Sequence, residues 1–312
     1  MSRPGLVLDP VFERHDTGPG HPERPARLQA IRRAVEAAGL ETSFERVAPE
    51  PAADSLLELA HDAEHVLRVE RAASGGARLL DAMDTTICPE SARVARLAAG
   101  SLVALCRRTA RGELSGGFAA IRPPGHHAER DLAMGFCLFN NIAVAARYLR
   151  EREGIERVLI VDWDVHHGNG TQHILDEDAS VFYFSLHQSP LYPGSGSRAE
   201  RGRGAGEGAT LNCPLPPGTG DEGFLGALRD ELCPAAERFR PDFVLISAGF
   251  DAHRADPLAQ LEVSTSAYAE ATRIVRELAR RHAGGRLVSA LEGGYDLDAL
   301  GLSVVEHLRE LV

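Results

Sequence analysis

At 312 residues, the chain sits near the size at which a single hydrophobic core stops growing, so one large domain is expected. A hydrophobic share of 44% beside 25% charged residues is ordinary for a soluble globular protein. The formal net charge of −11 argues against a nucleic-acid partner, which needs a basic face. Five scattered cysteines (Cys88, Cys106, Cys137, Cys213, Cys233) form no CxxC pair. That disfavours a disulfide framework or a thiolate zinc site and points to a reducing, cytoplasmic setting. No apolar run approaches the roughly 18 to 20 residues that span a bilayer, and the first residues lack the apolar core of a signal peptide.

In chain order, a β-branched apolar run at 5–8 predicts a strand, and amphipathic patterns predict helices at 25–38, 54–72 and 90–110. A strand at 117–121 leads into Arg122-Pro123-Pro124-Gly125-His126-His127. A helix at 140–152 precedes the strand 157–162, which runs into Val161-Asp162-Trp163-Asp164-Val165-His166-His167-Gly168-Asn169-Gly170. Strands at 180–185, 243–248 and 286–290, with helices at 223–239 and 265–282, follow. Nearly unbroken apolar strands separated by helices indicate a parallel sheet covered on both faces. The expected architecture is a single α/β domain with a central, mostly parallel sheet flanked by helices. The glycine-rich stretch 193–208 reads as a loop within it, because a boundary there would part Asp164 from Asp251.

The reactive residues all fall past the carboxyl ends of strands, where open α/β sheets form their crevices. In extended chain, alternation turns Asp164 and His166 to one side, where both can grip one cation. Asp251, after the run at 243–248, offers a third hard ligand. Two carboxylates and one imidazole with an open position describe a catalytic rather than a structural metal site. The imidazoles of His126 and His127, with an unperturbed pKa near about 6.5, are the candidate base and acid. Asp162 is placed to hold one of them in a fixed tautomer, and Asn169 to orient the other without adding charge. Tyr295, framed by Gly293 and Gly294, can donate to a developing oxyanion.

These stretches resemble the histone deacetylase family, specifically its class II branch and similar bacterial deacetylases. The likeness runs from Gly20-His21-Pro22-Glu23-Arg24-Pro25-Ala26-Arg27-Leu28 to Glu292-Gly293-Gly294-Tyr295. The resemblance implies an arginase-like three-layer fold. It implies zinc on Asp164, His166 and Asp251, a set that Fe²⁺ also accepts. It makes His127 the general base, His126 its electrostatic partner held by Asp162, and Tyr295 the oxyanion donor. It places Gly135, Phe136 and Tyr192 in the walls of an acyl-lysine tunnel, Asp84 at the substrate backbone and Arg27 beside an acetate exit. It matches Asp162, Asp164, His166, Ser185 and Leu186 to a monovalent-cation site, usually potassium. Two positions qualify the likeness. Asn169 stands where class I enzymes carry Asp, and Leu258 where a polyamine-selective branch carries Glu.

The expected activity is metal-dependent removal of an acyl group from an acyl-lysine peptide. An acetylpolyamine or other small acylated amine is the competing substrate, and Leu258 speaks against it. A silent acyl-ligand binder is the third reading, and the intact ligands and Tyr295 oppose it. A homo-oligomer is left open. Other residues carry no chemistry in this reading. His61 and His65 sit four apart on the expected helix 54–72, but no catalytic Glu follows His61, so a solvated helix face is expected. Gly202, Gly204 and Gly206 follow no strand, which rejects a dinucleotide fingerprint. Nothing near Cys137 favours a thiolate, and Arg198 to Arg203 reads as a charged surface loop.

Overall fold

Four apolar runs, Val158–Asp162, Val181–Gln188, Phe243–Ala248 and Leu287–Leu291, form strands in which every residue is buried. A strand that is dry on both faces needs cover on both faces of its sheet. That requirement organises the computed structural model, which describes residues 2–312. Its strands are β1 (Gly5–Val7), β2 (Glu45–Arg46), β3 (Leu79–Leu80), β4 (Ala82–Thr86), β5 (Gly117–Ala119), β6 (Val158–Asp162), β7 (Val181–Gln188), β8 (Thr210–Leu215), β9 (Phe243–Ala248) and β10 (Leu287–Leu291). Its α-helices are α1 (Ala26–Ala37), α2 (Asp54–Leu57), α3 (Ala63–Ser74), α4 (Ser91–Ala110), α5 (Asn141–Arg152), α6 (Asn169–Leu175), α7 (Asp221–Ala227), α8 (Cys233–Phe239), α9 (Thr265–His282) and α10 (Leu297–Leu311).

Eight strands form one sheet in the order β2-β1-β5-β10-β9-β6-β7-β8, with every neighbouring pair parallel. α4 and α5 pack on each other and on the central strands, while α1, α10 and α9 pack in series as a second helical layer. The three-layer α/β domain expected from the sequence is therefore present. Asp162 at the end of β6 is in register with Ser247 on β9 and Ser185 on β7. The carboxyl ends of five adjacent strands (β5, β10, β9, β6, β7) thus make one rim. No helix among the described residues is long and apolar enough to cross a membrane.

The differences from the expected elements have local causes. β8 escaped notice because Asn212 and Pro214 disfavour a strand interior; as an edge strand, β8 tolerates the missing donor of Pro214. α10 lies beyond the last expected helix, although the Asp296 side chain caps it by accepting from the Ala299 N–H at 2.8 Å. The expected helix 54–72 is instead two pieces, α2 and α3, with a break between them. His61 lies in that break, and both His61 and His65 are buried, so the expectation of a solvated face is corrected. His61 Nε2 accepts from the Asn140 N–H at 2.8 Å, and its Nδ1 meets the Glu129 carbonyl at 2.9 Å. His65 Nε2 lies 2.8 Å from the Leu138 carbonyl. The two imidazoles anchor both ends of the loop that carries Gly135 and Phe136.

Candidate active site

Past Asp162 the chain turns instead of continuing extended. Asp164 Oδ1 accepts from the His166 N–H at 2.9 Å, a side-chain-to-backbone turn that Asp favours. Asp164 and His166 therefore converge through this turn and not through strand alternation. His166 Nδ1 lies 3.0 Å from Asp164 Oδ1 and 3.3 Å from Asp251 Oδ2. One donor atom from each of the three residues falls within 4.8 Å of the others.

Backbone donors fix the two carboxylates. The Gly293 N–H gives 2.8 Å to Asp164 Oδ2, and the Val165 N–H gives 2.9 Å to Asp251 Oδ1. Asp251 Oδ2 has no hydrogen-bond partner although it is buried. Burial and then the neighbouring Asp164 push Asp251 above the ordinary carboxylate range. Asp164 is held low by His126 and His166 against its own burial. Two acids sealed from water, one with an oxygen that no hydrogen bond satisfies, make a site that favours an added cation. A hard divalent cation fits this donor set. Gly293 is obligatory here, because a Cβ on it would overlap the Asp251 carboxylate.

The tandem imidazoles form the next layer, with ring centroids 4.0 Å apart. His126 Nδ1 lies 3.1 Å from Asp162 Oδ2, which also accepts from the Tyr183 hydroxyl at 2.9 Å. His127 Nδ1 lies 2.7 Å from Asn169 Oδ1. Burial lowers both imidazoles, but Asp164 and Asp162 overcome it at His126 and raise that ring to about 10. At His127 burial is reinforced by the charges of His126 and His166, and the ring falls well below its ordinary value. Adjacent residues are thereby split into one cation and one neutral base.

A pocket of about 220 Å³ opens over these groups, with His126, His127, His166 and Tyr295 among its lining. Its walls are Asp84, Pro124, Gly135, Phe136, Leu191, Tyr192, Leu258 and Gly293. Tyr192 meets His127 edge-on with centroids 5.1 Å apart. Asp84 Oδ1 accepts from the Gly135 N–H at 3.2 Å. Gly135 (φ 57°) and Phe136 (φ 68°) are both left-handed, an unusual conformation for Phe. A side chain at 135 would overlap the His127 ring. Burial pushes the Tyr295 phenol well above its ordinary value, so it stays protonated.

The structure therefore brings together every expected ligand, dyad and wall residue. Arg27, expected beside an acetate exit, lies behind Tyr295 and outside the pocket wall, with its guanidinium carbon 5.0 Å from that ring's centroid. It donates to the carbonyl oxygens of Glu292 (2.5 Å) and Gly294 (2.7 Å). Ser185 and Leu186 lie on β7, beside β6, which ends at Asp162. Cys137 is buried with its thiol pushed well up by burial, as expected of an unreactive cysteine.

Sequence reading missed several supporting acids. Glu292 Oε2 accepts from the Gly125 and His126 N–H groups at 2.7 and 3.2 Å, and its Oε1 accepts from Ser247 at 3.0 Å. Asp256 accepts from the N–H groups of Tyr295 (2.7 Å) and Leu258 (3.0 Å), tying the oxyanion candidate to a pocket wall. Glu23 is buried between Arg27 and Arg122. Glu292 and Glu23 stand inside recognisable motifs, but Glu292 reaches backbone groups and Glu23 reaches Arg122, 99 residues away, besides Arg27 at i+4.

The sequence pattern of the "Histone deacetylase domain" matches residues 21–311. A probable deacetylase from Archaeoglobus fulgidus is 40% identical over 296 residues, spanning 94% of this chain and 82% of that protein. A histone deacetylase-like amidohydrolase from Pseudomonas aeruginosa is 40% identical over 293 residues, spanning 93% and 77%. The crystal structure of the HDA15 HD domain superposes with a TM-score of 0.93 at 39% identity, over 99% of this chain and 88% of that one. The arginase-like sheet, the buried acid–imidazole cluster and these relatives agree: the chain belongs to the histone deacetylase family.

Proposed function

We propose that the chain hydrolyses N-acyl amides of the acyl-lysine type, releasing a free amine and a carboxylate, with a divalent cation on Asp164, His166 and Asp251. The observation that carries this reading is the unsatisfied Asp251 oxygen, set among a second acid and an imidazole under a pocket lined by one charged and one neutral histidine. Zn²⁺ is the proposed occupant, and Fe²⁺ accepts the same donors. Potassium on Asp162, Asp164, His166, Ser185 and Leu186 is proposed as a second ion, where the register brings Ser185 level with Asp162. When bound, the divalent ion polarises the amide carbonyl and acidifies a water.

The chain's own groups perform the rest. His127, neutral and with Nδ1 engaged by Asn169, takes a proton at Nε2 as the water oxygen bonds to the carbonyl carbon. His126, with Nδ1 against Asp162, stabilises in its charged form the negative charge that develops. The protonated Tyr295 phenol donates to the carbonyl oxygen. As the C–N bond breaks, His127 returns the proton to the leaving nitrogen. Phe136 and Tyr192 face the pocket as aromatic walls for the aliphatic stem of a lysine, with Asp84 at the substrate backbone. Arg27 is proposed at the acetate exit behind Tyr295.

The test is turnover of an acetyl-lysine peptide by the parent and by Tyr295→Phe. All 34 basic residues of the chain are arginine, so the peptide is the only source of acyl-lysine in the assay. Loss of one oxyanion donor costs about 10²–10³ in rate, and a near-parental rate would remove Tyr295 from the mechanism. Preferential turnover of an acetylated polyamine would reassign the substrate while leaving the chemistry in place.

A further inference from the structure

Asn169 engages the proposed base through its side-chain amide, whose oxygen and nitrogen have nearly the same shape. Its orientation decides which nitrogen of His127 is bare. With Oδ1 toward His127, the ring must carry its proton on Nδ1, and Nε2 is free to accept one. With Nδ2 toward His127, Nδ1 must be bare and the proton sits on Nε2, where it blocks base catalysis. What lies on the far side of Asn169 therefore matters.

That neighbour is Glu129. Asn169 Nδ2 lies 2.5 Å from Glu129 Oε1, the same oxygen that takes His173 Nδ1 at 2.8 Å. An ionised carboxylate only accepts hydrogen bonds, so Glu129 requires the amide N–H of Asn169 and turns Oδ1 to His127. The further contacts of Asn169 Nδ2, the His127 carbonyl at 3.5 Å and Met134 Sδ at 3.4 Å, are also acceptors. His173 stands four residues after Asn169 on α6, half-exposed, and holds the Glu129 carboxylate from the solvent side. The three form a chain from the surface to the base.

We propose that Glu129 is a positioning residue that selects the base-competent tautomer of His127 by fixing the amide of Asn169, with His173 as its outer anchor. The carboxylate absent from position 169 is thus supplied one residue further out. This rests on the hydrolase reading for its rate consequence, but not for its structural content.

The experiment compares the parent, Glu129→Gln and the double variant Glu129→Gln/Asn169→Asp. A glutamine at 129 can donate as well as accept, so both orientations of Asn169 become satisfied and the tautomers mix. An aspartate at 169 only accepts, so it restores Nδ1–H on His127 while the substituted amide at position 129 donates to it. A wrong tautomer costs a histidine base up to about 10⁴. For a mixture, kcat should fall on the order of 10-fold in Glu129→Gln with KM within about twofold, and the double variant should recover most of the loss.

The second readout needs no activity. Imidazole ¹⁵N shifts of ¹⁵N-histidine-labelled protein, assigned against His127→Asn, should show Nδ1–H on His127 in the parent and double variant and a mixture in Glu129→Gln. Unchanged kcat and tautomer in Glu129→Gln would overturn the proposal. So would a lower kcat that the double variant fails to recover while the tautomer never changes. A parent without amidase activity that still shows the tautomer pattern would refute the hydrolase reading and support this one.

Discussion

The floor of the pocket and its walls are built on opposite principles. On the floor, Asp162 and Asp251 are 0% exposed, and His126 and His127 only 3% and 4%. Each of these groups is tied to a backbone N–H, a hydroxyl, an amide or another floor residue. At the walls, Tyr192 and Leu258 are 38% and 37% exposed on loops. A floor whose charges are all buried has no alternative arrangement, because each displaced group would be left without a partner. A wall open to solvent can change its residue and keep its fold. Chemistry is thus fixed at the strand ends, and selectivity is left adjustable at the rim.

The comparison is most exposed to failure at the metal ligands. Asp251→Ala should abolish bound Zn²⁺ and lower turnover by on the order of 10³ or more, since several kcal/mol of transition-state stabilisation go with the ion. Metal analysis beside the peptide assay checks both. Gly293→Ala should behave similarly, because its new methyl displaces Asp251. Metal retention there would show that the floor is softer than described. His127→Ala should lose about 10²–10⁴ in kcat while keeping its metal, which separates base from ligand.

The layer beneath the floor should appear in acid stability. Burial favours protonation of Glu23, but Arg122 and Arg27 prevail and hold it at about 2, below its ordinary 4.5. Its contribution is therefore present above about 4.5 and lost as pH falls towards 2, on the order of 3 kcal/mol in all. Glu23→Gln should flatten that acid limb in denaturant titrations. An unchanged limb would show that the pair with the two arginines adds nothing. The smallest effect belongs to the wall. Leu258→Glu should leave kcat on an acetyl-lysine peptide within about twofold and raise relative kcat/KM for an acetylated polyamine about fivefold, as befits a partly exposed charge pair.

How much could be read from the sequence follows the same division. Asp164, His166, Asp251 and the tandem histidines were legible because short spacings and strand ends bring them together with little freedom. Even there the local reason was mistaken: the chain turns at Asp164 through a side-chain hydrogen bond to the His166 N–H. Phe136, Tyr192, Leu258 and Asp84 were placed by family resemblance alone, since nothing in a loop's composition says which way it faces. Glu129, Asp256, Glu292 and Glu23 went unassigned because partners lie 40 or more residues away (Arg122 for Glu23, besides the nearby Arg27) or are backbone groups without a sequence signature. The central strands were legible from their unbroken apolar runs, while β8, with Asn212 and Pro214, was not.

The most direct test of the metal-dependent reading is titration of chelator-stripped protein with Zn²⁺ while following both bound metal and turnover of an acetyl-lysine peptide. Activity should rise linearly and level off at one equivalent per chain, and Asp251→Ala should show neither binding nor turnover. Full activity in metal-free protein, or stoichiometric binding that survives loss of Asp251, would contradict it.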